Sequence, residues 1–130
     1  MSSYLFFKKG NTELCCFQSS HPIYDFFHTK KYEEWEEVDS QTMRHAIDSC
    51  REAIDAQKHS IDIENEIISK LSTKDDISDA VYEKDGYLDE LKILNMSLEQ
   101  LYLLRDIAEF ERYNPDTGEE FKEPFYIMKD

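Results

Sequence analysis

The sequence predicts an α+β fold: a long antiparallel helical hairpin, coiled-coil-like in its spacing, packed with a small antiparallel sheet. Three observations lead there. Met43, Ile47, Cys50, Ile54, Ile61, Ile68 and Leu71 fall on one alternating three-and-four-residue spacing, the mark of a helix with one apolar stripe. Leu88, Leu91, Leu94, Leu98, Leu101 and Ala108 nearly repeat that pattern, so each stripe has the other as a partner. Short aromatic-rich runs stand at both ends of the chain, around Tyr4–Phe7 and Phe125–Met128, and suit strands of one sheet.

At 130 residues the chain fits a single domain. Its expected parts are a β-hairpin, short helix and connector over 1–39, the helical hairpin over 40–112, and a C-terminal turn and strand over 113–130. Within the first part, Tyr4-Leu5-Phe6-Phe7 and Leu14-Cys15-Cys16-Phe17 flank Gly10-Asn11, the sequence of a tight β-turn. Both runs are apolar on both faces, so both faces of the hairpin are expected to be covered. Ser20-His21-Pro22 is a helix start, with serine as cap and proline in the first turn. A short helix is expected to follow, burying Ile23, Phe26 and Phe27 and ending near Lys30-Lys31, where the helix dipole favours positive charge. The acidic stretch Tyr32–Val38 reads as a short third strand or an acidic connector, with the strand favoured.

Asp39-Ser40 caps the first long helix, expected over 41–72 and about 45 Å long at 1.5 Å per residue. Gln57 and Glu64 stand where its stripe asks for apolar residues, and such interruptions fix register at some cost in stability. Ala46, Ala53, Ala56, Ile63 and Ile67 widen the stripe, which implies more than one packing neighbour. Ser72–Asp76 makes the turn. The second long helix is expected to begin near Asp76 or Ser78 and to run to about Arg112. Gly86 lies inside it, where glycine costs about 1 kcal/mol relative to alanine and invites a kink. Asn114-Pro115-Asp116-Thr117-Gly118 is a turn by composition, and the terminal run is expected to join the N-terminal hairpin.

Twenty-nine acidic and 15 basic residues give a net charge of −14. Residues 73–130 hold sixteen acids and seven bases, so −9 of the total lies there. Direct contact with nucleic acid or an anionic membrane needs cationic groups and is disfavoured; a basic protein partner is favoured by the same field. No run approaches the roughly 20 apolar residues that span a bilayer. The apolar run after Met1 is too short for a signal peptide, and three cysteines make no disulfide framework, so a cytoplasmic protein is expected.

No motif calls for catalysis or a cofactor. The four histidines and Cys15, Cys16 and Cys50 show no metal-ligand spacing, so no metal is expected; the cysteines read as small, inert core residues and the histidines as surface groups. No glycine-flanked nucleophile or adjacent base is present. Glu33-Glu34, Glu36-Glu37 and Glu119-Glu120 sit in polar runs and not in an evident cleft, and Gly10, Gly86 and Gly118 are isolated. One run stands apart: Asp75, Asp76, Asp79, Glu83, Asp85, Asp89 and Glu90, against Lys84 alone. The dipole at a helix N-terminus accounts for Asp75, Asp76 and Asp79. Glu83 to Glu90 lie too far along, and like charges at four-residue spacing oppose the helix. These seven residues are the candidate partner-binding surface. The expected function is non-enzymatic protein binding, or oligomerisation as a homodimer, through the hairpin. In length, acidity and lack of a catalytic motif the chain resembles small accessory proteins of phages and mobile elements. That resemblance implies an alternative: an inhibitor whose carboxylates mimic DNA phosphates and block a basic nucleic-acid-binding protein.

Overall fold

Alternation organises the sheet. In the computed structural model, which describes residues 3–130, strand β1 (Tyr4–Lys9) buries Leu5, Phe7 and Lys9, every second residue. Strand β6 (Phe125–Lys129) buries Phe125, Ile127 and Lys129 in the same rhythm and pairs antiparallel with β1, Phe7 opposite Ile127. Met1 and Ser2, where the first unit was expected to start, lie outside the described residues. β2 (Thr12–Gln18) completes the hairpin with β1, and the two-residue β3 (Glu36–Glu37) pairs with β6. The order is β2-β1-β6-β3, so the C-terminal strand lies inside the sheet next to the N-terminal one, as expected. Gly10 turns the hairpin at positive φ, and a Cβ there would collide with the Glu123 carboxylate.

The helical hairpin is the other layer. Helix α2 (Ser40–Lys70) starts at Asp39, whose carboxylate accepts from Thr42 N at 2.7 Å. Helix α3 (Lys74–Glu109) starts at Thr73, whose hydroxyl accepts from Asp76 N. At 1.5 Å per residue the helices are about 46 and 54 Å long, whereas β2, the longest strand, reaches only about 23 Å. Register is visible in two contacts: Cys50 Sγ lies 3.5 Å from Leu94 O, and Gln57 Nε2 donates to Tyr87 O at 3.0 Å. Seven residues along α2 answer seven back along α3, one heptad of an antiparallel pair.

Sheet and helices enclose one core. Phe7 is its hub, with ring centroids 5.3 Å from Phe27 and 5.9 Å from Phe17 and Phe125. Met43, Ala46, Ile47, Cys50 and Ile54 enter from α2, and Leu101 and Leu104 from α3. Lys9 fastens the layers: its buried ammonium donates to Ile107 O and Phe110 O at the C-terminus of α3, where the dipole favours a cation. Burial pushes its pKa down.

Several expectations are corrected. The short helix α1 is only Pro22–Phe26, capped by His21 and not Ser20; the chain turns extended at Phe27, so Lys30 and Lys31 lie beyond it. α3 begins at Lys74 and passes Gly86 unbroken, because helical neighbours on both sides hold the backbone. Leu88 is 41% exposed. The inward register runs from Leu91 back through Tyr87, Lys84 and Ala80, which leaves Leu88 on the flank; Leu104 is buried in addition. The second face of the N-terminal hairpin is not covered. β2 is an edge strand, and Cys15 and Cys16 are exposed; Cys50 alone is a buried thiol, its pKa pushed up to about 11 by burial. A two-strand ribbon, β4 (Arg112–Tyr113) with β5 (Glu120–Phe121), closes the expected Asn114–Gly118 turn and was not foreseen.

Candidate protein-binding surface

The core ends well before the hairpin does. No residue between 55 and 90 belongs to the main hydrophobic cluster, although α2 and α3 continue there as a pair. In this distal half only Ile61, Glu64 and Ala80 are buried. Ile63 and Ile67 are each 45% exposed, and Val81, Tyr82 and Leu88 also face water. Residues 55–93 hold eleven acids and five bases, a net of −6.

All seven residues of the acidic run lie on α3 in this half, and all seven are exposed. Among the described residues none of them makes an ion pair; the four bridges present lie elsewhere. Asp75, Asp79, Glu83 and Glu90 follow four- and seven-residue spacing and share one flank, with Asp76 beside them at the first turn. Asp85 and Asp89 fall on the back of the helix. The run is therefore a stripe with two outliers.

Two other features were visible in the sequence only as anomalies. Gln57 and Glu64 interrupt the apolar stripe of α2. Gln57 has a partner, the Tyr87 carbonyl. Glu64 is 7% exposed and makes no hydrogen bond or ion pair among the described residues, but its carboxylate oxygens still reach water; the side-chain oxygen buried without a partner is Gln100 Oε1. Its sequence signal is a carboxylate at a seam position; that its oxygens still reach water is set by the fold.

Among the described residues, the better-formed clefts lie near the other end. One of about 430 Å³ opens between the start of α2, the end of α3 and β6, lined by Asp39, Ser40, Arg105, Lys122 and Glu123. It offers charges of both signs and a hydroxyl, with no histidine beside it. The Asp39 carboxyl is held below its usual range by the Thr42 amide and serves the helix cap. A second, open cleft brings His28 and His45 near Asp48, with no serine or cysteine. Among the described residues no group of three or more His, Cys, Asp or Glu side chains could hold a metal ion, and no helix is long and apolar enough to cross a membrane.

The distal hairpin is set apart by its distance from the core and carries the exposed Ile63, Ile67, Val81, Tyr82 and Leu88, while Leu103, Phe110, Tyr113 and Phe121 are exposed elsewhere. The chain matches no known protein family, no curated protein and no solved structure.

Proposed function

We propose that the chain is a non-enzymatic protein-binding module that works through the distal half of its helical hairpin, with a basic partner. The observation that supports this most is the hairpin's overreach. The folded core needs the helices only as far as about Ile54 and Leu91, yet both continue together for several more turns. Those turns hold few buried residues, unpaired carboxylates and exposed isoleucines, a composition that stabilises an isolated hairpin poorly. Contact with nucleic acid or an anionic bilayer is disfavoured by the same field. Exposed free thiols at Cys15 and Cys16 fit a reducing setting such as the cytoplasm.

Asp79→Lys, Glu83→Lys and Glu90→Lys together test the reading. Partners captured from native cells by the parent chain should be lost by this variant, and their association should slow with added salt more than dissociation speeds, because exposed charges act over about 8 Å at physiological ionic strength. Unchanged partners and unchanged salt dependence would refute it.

A second reading draws on the acidic stripe alone: its unpaired carboxylates would stand where phosphates sit and so block a nucleic-acid-binding protein. It differs in one outcome, competition between DNA and the chain for the captured partner. Homodimerisation through the exposed isoleucines is a third outcome, visible by light scattering at two concentrations.

A further inference from the structure

The helices carry a second pair of stripes beside the ones that join them. On α2 it runs Ala46, Ser49, Ala53, Ala56, Ser60, Ile63, Ile67, at three- and four-residue steps. On α3 it runs Leu104, Gln100, Ser97, Ile93, Glu90, Gly86, Glu83, Asp79, in the same steps. At the core end both are covered: Ala46 and Leu104 belong to the hydrophobic cluster, and Ser97 is fully buried. Because the same core covers both beginnings, the stripes leave it along the same side of the hairpin. At the distal end both are open. Ile63 and Ile67 are 45% exposed, and nothing lies within 4 Å of a Cβ built on Gly86; Ile93, 46% exposed, lies level with Arg51 at the edge of the core.

We infer that this open side is a groove for a basic amphipathic α-helix from a partner protein, seated alongside α2 and α3 as the third helix of a bundle where the sheet no longer covers them. The inference rests on the protein-binding reading above and names the occupant. Three features select it. Ala56, Ser60 and Gly86 are small, so a third backbone approaches closely. Ile63, Ile67 and Ile93 meet an apolar stripe, while Asp79, Glu83 and Glu90 form an anionic edge that a row of lysines or arginines neutralises. A second copy fits worse, since it brings another net −6 against this one.

The probe is a labelled synthetic helix of about 18 residues, roughly 27 Å long, with leucines at heptad a and d positions and lysines elsewhere. Its control is a scrambled peptide of the same composition that has no apolar face. The full chain should bind the amphipathic peptide at least tenfold more tightly than the scramble. Ile63→Ser with Ile67→Ser should remove that difference. So should Gly86→Gln, which fills the groove without changing charge. Circular dichroism should show all variants folded, because these side chains lie outside the core. Equal binding of both peptides, or a preference that survives both sets of substitutions, overturns the groove. If Glu83→Lys with Glu90→Lys then weakens both peptides alike, the protein-binding reading stands without it. If that variant has no effect either, both fall. Self-association of the chain that Ile63→Ser with Ile67→Ser abolishes would give the groove to a second copy and overturn the basic helix as its occupant.

Discussion

The two halves of the helical hairpin follow one sequence rule and reach different states. In the proximal half, α2 and α3 pack on each other and also under the sheet and α1, so two stripes on each helix are buried. In the distal half the first stripes still meet, but the second find nothing. Ala46 and Ile67 occupy equivalent positions on α2, three heptads apart; one is fully buried and the other 45% exposed. Periodicity sets which residues share a face. Whether that face is covered depends on how far the sheet reaches, and its strands end after about 23 Å. The proximal half holds the hydrophobic core, and the distal half is left largely uncovered.

The largest expected contrast is in stability. Leu101→Ala removes a fully buried side chain and should cost about 2–5 kcal/mol, whereas Ile67→Ala, half in water, should cost under about 1 kcal/mol. Chemical denaturation of both variants checks this; equal losses would mean that the distal half is as tightly packed as the proximal one. Hydrogen exchange should agree, with amides at 58–70 and 74–88 opening at lower free energy than those at 43–54 and 94–104.

Gly86→Ala should raise stability by about 1 kcal/mol, since the position is helical, exposed and free of contacts. A loss instead would reveal a close neighbour there. Gln57→Leu, at the junction of the halves, should give less than about 1 kcal/mol. The added apolar contact is offset by the lost hydrogen bond to Tyr87. The gain should show as slower exchange in the distal half; unchanged exchange would mean that the two halves open independently of this junction.

The smallest effect lies in the proximal support. His21 Nδ1 accepts from Ile23 N at 3.2 Å, which requires the neutral ring, and burial pushes the His21 pKa below 6.5. A depressed folded-state pKa contributes stability that is present above the unfolded value and is lost as pH falls through the folded one. Thermal melts from pH 7.5 down to pH 5 should therefore show a small decline that His21→Asn, a cap that does not titrate, removes. An equal decline in both proteins would place the titration elsewhere.

Much of the fold was legible because the physics involved is local. The stripe from Met43 to Ile61 and the Asp39 cap follow from spacing and side-chain chemistry within a few residues; the turn, expected at 72–76, lies at 71–73, with Lys74–Asp76 already in α3. The approach of Phe125–Lys129 to the N-terminal hairpin followed from the poor fit of an aromatic strand to water. The errors arose where a neighbour decides. Leu88 looked like a seam residue because apolar residues nearly in phase cannot be ranked without the partner's register. Cys15 and Cys16 looked internal because the sequence does not say that β2 stands at the sheet edge. The helix after Pro22 looked longer because the pull of Phe27 into the core, against Phe7, is a contact across twenty residues.

The candidate surface divides in the same way. The acidic run and its excess beyond what a helix dipole explains were plain in the sequence. The sequence by itself determined two long amphipathic helices, a small aromatic sheet and a strongly negative distal field, since each depends on residue type and spacing along one segment. Only the tertiary structure decided that the core stops short of the end of the hairpin, and that Ile63, Ile67 and Ile93 stay exposed. Coverage is a property of how far one layer extends over another, and no single segment encodes that distance.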